Sequence, residues 1–407
     1  MTQKDQPLAP KPDPFFSIPA DRTWNACIGP QGEEENYVDG YIDAALALAN
    51  LILEKEMFVA RDTLVLPILY NARHGVELSL KFAMTRLLEV GILKVSHAVN
   101  HDIASHWQHL QGASIGDEAI RRHLCELQPY ITSLASIDND GQQLRYATDV
   151  EGNPSLEGKP LANIHVIRDS LVALRKVLGD LKNHVLRLCT EIALGSHTDE
   201  CSRTDLLNIA KMLPPRTEWN SVAFTTAKQS VHERYELSGK KFTAAVDAIQ
   251  ANREMNAQLG VEAVLSHLTD ANARMLIEKW STVHPVRQSA DDDLGMDYFG
   301  KRDWEETRLY FERKTDARNV ILQTLSPEEI ADADAIYYLG RDGNFPEQYD
   351  GLLAQAKKNH AEADGLRRSV DNLLSKTNLL MFLVSGLRRL GKTTLASTLE
   401  SMRPAMR

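Results

Sequence analysis

Apolar residues recur at three- and four-residue steps along most of this chain, and this spacing constrains its fold more than any other feature. The first such run consists of Val38, Tyr41, Ile42, Ala45, Leu46, Ala49, Ile52 and Leu53. This period is typical of amphipathic helices that bury one face. No segment alternates apolar and polar residues for long enough to predict a sheet. The sequence therefore predicts an all-α fold, in which long helices from about residue 37 and over 61–90 form a bundle.

Composition changes along the chain predict four regions. Prolines are dense in the first twenty residues, which predicts an extended tail over 1–36. A helical bundle is expected over 37–200 and a second helical region over 201–356. Basic residues then predominate, so 357–407 is predicted to be a basic helical extension.

Turn residues interrupt the predicted bundle over 138–160. We expect a polar excursion there, with a β-hairpin around Leu144 to Tyr146.

In the second region Ser326 and Glu329 have the spacing of a capping box at the start of a helix. Gly340 is expected to end that helix in a left-handed conformation.

Four cysteines lie far apart and form no C-x-x-C pair, which favours a reducing cytoplasm over a disulfide framework. No apolar stretch approaches the roughly 20 residues that a membrane span requires.

The net charge of −10 opposes general binding to nucleic acid. Only 357–407, with ten Lys/Arg against four Asp/Glu, is a basic segment that could face an anionic ligand.

Residue types that carry chemistry are densest between positions 71 and 109. The candidate catalytic residues are Arg73, His74, Glu77, His101 and His106. Arg73, Glu77 and Lys81 are four residues apart, so they share one helix face and Glu77 can pair with either neighbour. The same spacing is typical of a buried polar ladder that fixes helix packing, so a structural role stays open.

Several segments resemble the HEPN-like superfamily, particularly members encoded beside bacterial defence genes. They include LPILYNARHGVELSLKF, NHDIASHWQHL, RYATDVEGNPSL, ELSGKKFTAAVDAI and EEIADADAIYYLGRDG. The resemblance implies an HEPN-like bundle, self-association, and a component of an antiviral defence system that acts on RNA or a nucleotide. Many HEPN proteins are metal-independent ribonucleases and toxins, in which an R-x4–6-H motif supplies an arginine for phosphate charge and a histidine for proton transfer.

This chain departs from that pattern, because none of its thirteen histidines has an arginine five to seven positions before it. Arg73 could instead act with the adjacent His74, or with His101 or His106 from the next helix. The alternative is an inactive fold that serves as a scaffold and binds a partner protein.

A further alternative is a metal phosphohydrolase of the HD type. His74 precedes the pair His101-Asp102 by 27 residues, and such ligands suit a divalent metal. The fourth ligand stays open among Asp138, Asp149 and Asp169. Because that ligand cannot be assigned and no cysteine is near, we expect no bound metal and no other cofactor.

The C-terminal segment matches the phosphate-binding pattern G-x-x-x-x-G-K-[ST] at Gly386, Gly391, Lys392 and Thr393. Fourteen residues follow Thr393 here, too few for the later strands of a nucleotide-hydrolysing domain. Apolar residues from 366 to 387 also follow a helical period. We therefore expect one continuous helix, whose amides are consumed by internal hydrogen bonds and cannot converge on a phosphate.

Overall fold

A computed structural model describes residues 13–18, 20–29, 34–98, 100–148, 151–156, 158, 161–285 and 304–402. These residues form sixteen α-helices and two short 3-10 helices, Arg216–Glu218 and Pro346–Gln348. The α-helices are α1 (Glu34–Glu54), α2 (Arg61–Glu89), α3 (Ile103–Gln111), α4 (Glu118–Asp138), α5 (Ile164–Ala193), α6 (Arg203–Met212), α7 (Val222–Tyr235), α8 (Gly239–Ala251), α9 (Arg253–Gln258), α10 (Asp270–Val283), α11 (Trp304–Thr324), α12 (Pro327–Arg341), α13 (Tyr349–His360), α14 (Gly365–Ser375), α15 (Leu379–Arg389) and α16 (Thr393–Ser401).

The prediction of an all-α fold is confirmed for the described residues, which contain no β-strand. No helix among them is both long and apolar enough to cross a membrane. Of the tail predicted over 1–36, residues 1–12, 19 and 30–33 lie outside the described residues, 13–18 and 20–29 contain no helix, and α1 begins at Glu34.

The chain divides into two compact units. The first unit comprises the described residues within 1–88, 95–112 and 123–183. The second comprises those within 89–94, 113–122 and 184–407. The domain boundaries drawn from composition at 200 and 356 stay predictions.

Helices α1, α2 and α5 share an apolar cluster in the first unit. Its buried members include Ile52, Ile68, Ala72 and Leu171. Helix α2 continues through Pro67. Its buried face carries apolar residues together with Arg73 and Glu77. The candidate residues Arg73 and Glu77 of this helix are therefore buried in the first unit.

The hairpin predicted around 144–146 is wrong, because that segment is a turn with an isolated bridge nearby, between Thr148 and Pro154. The side chain of Asp138 explains the difference. Its two carboxylate oxygens accept hydrogen bonds from the amides of Gln143, at 3.2 Å, and Leu144, at 3.1 Å. Amides that donate to a side-chain carboxylate in this way are not free to form a strand ladder.

Helix α12 begins as predicted, with Ser326 and Glu329 in a reciprocal capping box. Its predicted end at Gly340 is wrong, because the helix continues to Arg341. Gly340 instead packs against α15, where a β-carbon would overlap the carbonyl oxygen of Phe382. The left-handed glycine lies further on, at Gly343, with φ of 68°.

The continuous helix predicted from about 366 is also wrong. Helices α14, α15 and α16 are separate, and Gly391 turns the chain before α16 with φ of 74°. All three helices contribute to the apolar core that also contains α10 to α13. The basic residues of α13, α14 and α15 thus stand on helices whose other faces are buried.

Candidate functional site

Glu77 lies at the centre of a charged network in the first unit. Its side chain is 2% exposed, and each carboxylate oxygen has two cationic or imidazole neighbours. One oxygen accepts from Lys81 Nζ at 2.6 Å and from His101 Nδ1 at 2.8 Å. The other accepts from Arg73 Nη1 and lies 3.7 Å from His74 Nδ1.

This network keeps Glu77 ionised. Burial by itself raises the pKa of the carboxyl group, but hydrogen bonds with His74, Lys81, His101 and Arg73 together hold it well below its usual value. Glu77 is therefore a fixed negative charge at neutral pH. Its oxygens can accept an N–H hydrogen bond from each neighbouring side chain and so fix the orientation of that side chain.

Arg73 is 1% exposed, and each of its three guanidinium nitrogens donates to the protein. Nε donates to the carbonyl of Asp138 at 3.2 Å, and Nη2 to the carbonyls of Asn139, at 2.9 Å, and His101. This geometry gives Arg73 a positioning role: it ties helix α2 to the loop after α4 and to the backbone of His101.

The side chains around Glu77 differ in exposure. His101 is 65% exposed, Lys81 32% and His74 23%. Since Nδ1 of His101 is held by Glu77, its Nε2 is the ring nitrogen available to solvent and to a ligand. The candidate site is therefore an exposed imidazole on a buried carboxylate, with a lysine ammonium beside it.

Two tyrosines hold His74. Its ring stacks on Tyr70, with centroids 5.7 Å apart and planes 8° apart, and contacts Tyr41 edge-on at 4.5 Å. The next side chain along is Arg145, whose guanidinium lies over the Tyr70 ring. The sequence predicts the polar excursion over 138–160, but no spacing in it indicates that Arg145 contacts Tyr70 or that the two tyrosines contact His74.

His106 lies apart from these hydrogen bonds. It is 1% exposed, and neither ring nitrogen has a hydrogen bond of normal geometry. Its ring contacts His97, whose ring stacks on His109. Burial, with the nearby charges of Lys81 and His97, lowers the pKa of His106 to about 4. A histidine in this state is neutral at physiological pH and closed to solvent.

The neutral His106 predicts a pH-dependent stability. Folding lowers the pKa of His106 from 6.5 to about 4, so the folded protein takes up this proton less readily than the unfolded chain. The contribution of neutral His106 to the free energy of unfolding is therefore complete above pH 6.5 and is lost as pH falls towards 4. We expect wild type to lose about 3 kcal/mol more than His106→Leu between pH 7 and pH 4. Urea unfolding of both proteins across this range measures the difference. A constant gap between the two proteins at every pH would contradict this account.

A metal site of the HD type finds no support in the described part of the chain, where no group of three or more His, Cys, Asp or Glu could hold a metal ion. His101 and His74 both face Glu77. Asp102 caps α3 by accepting from the Ser105 amide at 2.7 Å. Of the candidate fourth ligands, Asp138 is used by the loop amides, Asp169 pairs with Arg168 at 2.7 Å, and Asp149 lies outside the described residues.

The C-terminal glycine and lysine motif is placed in the second unit. Gly386 lies inside α15, and Thr393 begins α16. The carboxylate of Glu262 accepts from Thr393 Oγ1 at 2.8 Å and from the Thr394 amide. Lys392 Nζ lies 3.7 Å from Glu262 and 3.6 Å from Asp270. A protein carboxylate therefore holds the helix N-terminus that a phosphate would need.

We expect Lys392→Ala to leave nucleotide affinity unchanged. The substitution removes two ion pairs of partly exposed groups, which contribute little to stability. Calorimetry with magnesium and ATP or GTP compares the two proteins, with the unfolding midpoint as the control for folding. Micromolar binding by wild type that disappears in Lys392→Ala would contradict the structural reading of this segment.

Comparisons with protein-family models, with curated proteins and with solved structures found no match to this chain.

Proposed function

We propose that the first unit contains a metal-independent site that cleaves RNA or a related phosphodiester. In this site His101 is the base. One observation carries the proposal: a histidine that is 65% exposed is held at 2.8 Å through Nδ1 by a buried, ionised carboxylate. A carboxylate that accepts a hydrogen bond from Nδ1–H leaves Nε2 as the basic nitrogen and stabilises the imidazolium formed when Nε2 takes a proton.

In this proposal the 2′-hydroxyl of a ribose gives its proton to His101 Nε2, and its oxygen bonds to the adjacent phosphorus. The bond from phosphorus to the 5′-oxygen breaks, and that oxygen takes a proton from the imidazolium formed at His101, which returns His101 to its starting state. The products are a 2′,3′-cyclic phosphate and a free 5′-hydroxyl. Lys81 stabilises the charge that develops on the phosphate oxygens.

The roles differ from those in the R-x4–6-H pattern. Each guanidinium nitrogen of Arg73 donates to the protein, so in this proposal Arg73 positions Glu77 and His101 and does not contact the phosphate. The resemblance to HEPN-like proteins supports an RNA substrate, self-association and a place in a bacterial defence system. These finer assignments rest on the resemblance and on the network around Glu77.

A scaffold without catalysis is the second candidate, and the burial of Arg73 and Glu77 favours it. Such a pair can serve only to fix helix packing. The two candidates differ over the exposed His101. Catalysis requires its Nε2 as the base, whereas a scaffold does not require this nitrogen.

Expression in a bacterial host tests the proposal. We expect wild type to slow growth and degrade RNA, and we expect His101→Ala to do neither while accumulating as folded protein. His165→Ala is the matched control, because His165 is exposed at the start of α5 in the same unit. Equal effects of wild type and His101→Ala would favour the scaffold.

A further inference from the structure

A second group of side chains stands beside the network around Glu77. The guanidinium of Arg145 lies 5.8 Å from the ring centroid of Tyr70 and 5.3 Å from that of Tyr146. We call Tyr70, Arg145 and Tyr146 the aromatic shelf. Tyr146 is 55% exposed and Arg145 is also exposed, so the core of the unit does not require either.

Direct contacts join the shelf to the proposed site. Tyr70 stacks on His74, and His74 contacts Glu77, which holds His101. The shelf is therefore connected to His101 through two intervening side chains, those of His74 and Glu77.

The loop that carries Arg145 and Tyr146 is held by hydrogen bonds and by its packing on Arg73. Arg145 Nε donates to the carbonyl of Gly141. Gly141 has φ of 78° and packs on Arg73, where an added β-carbon would lie 3.0 Å from Nη1. Asp138 holds two further amides of the same loop. The shelf is thus fixed to the same buried arginine that positions His101.

The chemistry of the shelf fits an unpaired nucleobase. Aromatic rings and a planar guanidinium stack on bases, and each stacked base contributes substantially to binding single strands. The cations Arg145 and Lys81 suit the phosphates on either side. A duplex presents its bases already stacked and paired, so its base faces cannot reach such a surface.

We propose that the aromatic shelf is a nucleobase-binding subsite that selects single-stranded nucleic acid and prefers purines, whose larger rings cover more of the shelf. The inference rests on the proposed function for its location, but binding to the shelf does not require cleavage. The experiment is therefore designed to measure binding and cleavage separately.

Fluorescence anisotropy with the full chain measures binding of labelled 12-nucleotide oligo(A), oligo(U) and an RNA duplex. His101→Ala serves as the background, so that cleavage cannot distort the reading. We expect oligo(A) to bind several-fold more tightly than oligo(U) and far more tightly than the duplex. Adding Tyr146→Ala should weaken oligo(A) binding about tenfold. Phe58→Ala, which removes another exposed aromatic ring of the first unit, should leave it unchanged.

The outcomes separate the two proposals. Loss of binding in Tyr146→Ala, with no cleavage by wild type, supports the subsite and contradicts the catalytic function. Cleavage by wild type with the same affinity in Tyr146→Ala overturns the subsite alone. Equal affinity for duplex and single strand, or no binding of any oligonucleotide, also overturns the subsite. Arg145→Ala gives a second reading if Tyr146→Ala folds poorly.

Discussion

Arg73→Ala is expected to destabilise the first unit by about 3–5 kcal/mol, because it removes the buried guanidinium that pairs with the buried charge of Glu77. The substitution also removes the donor shared by the carbonyls of Asp138, Asn139 and His101. Buried acceptors that lose their partners carry a desolvation penalty of about 1–3 kcal/mol each where water cannot reach them. Urea unfolding followed by circular dichroism measures the loss.

Arg61→Ala is the control for Arg73→Ala. Arg61 begins the same helix, and its side chain is 54% exposed. Its pair with Asp62 is a surface pair, so we expect a change within about 0.5 kcal/mol. A loss below about 1 kcal/mol for Arg73→Ala would mean that the guanidinium does not hold the site together, and would return it to the candidates for direct contact with a substrate.

Gly386→Ala is expected to destabilise the second unit by about 3 kcal/mol or more. A β-carbon at this position would overlap the carbonyl oxygen of Ile336 and lie 2.9 Å from its carbonyl carbon. Both are backbone atoms, so they cannot rotate away, and the helices α12 and α15 must separate. The gain of up to about 1 kcal/mol from alanine's helix propensity does not offset this.

Gly351→Ala provides the matched comparison for Gly386→Ala. Gly351 also lies inside a helix of the second unit, and nothing lies within 4 Å of its added β-carbon. It should raise stability by about 0.5–1 kcal/mol. If both substitutions shift the unfolding midpoint equally, then the packing of α12 against α15 does not require glycine at position 386. A role for Gly386 in binding phosphate would then be the alternative to test.

The sequence was sufficient to predict those features that depend on near neighbours. The capping box of Ser326 and Glu329 and the pairing of Glu77 with both Arg73 and Lys81 follow from spacings of three and four residues. The helical class follows from the same periodicity. These features need no knowledge of which helix packs against which.

The remaining features depend on contacts between distant residues. His101 meets Glu77 across 24 positions, and Arg73 meets Asp138 across 65. Gly340 looked like a helix end and Gly386 like part of a phosphate loop, yet each is explained by the close approach of α12 and α15. No local pattern distinguishes a glycine that turns the chain from one that lets two helices touch.

The most direct test of the account is cleavage of an oligonucleotide that carries one ribonucleotide in an otherwise deoxy strand, with EDTA present throughout. Wild type and His165→Ala should yield a 2′,3′-cyclic phosphate at the ribonucleotide, and His101→Ala should lose at least a hundredfold in rate, as expected for removal of a general base. Folding of each protein is checked by circular dichroism. Equal cleavage by His101→Ala, or cleavage of the fully deoxy strand, would contradict the assignment of His101 as the base, and no cleavage by wild type would contradict a catalytic role for the site.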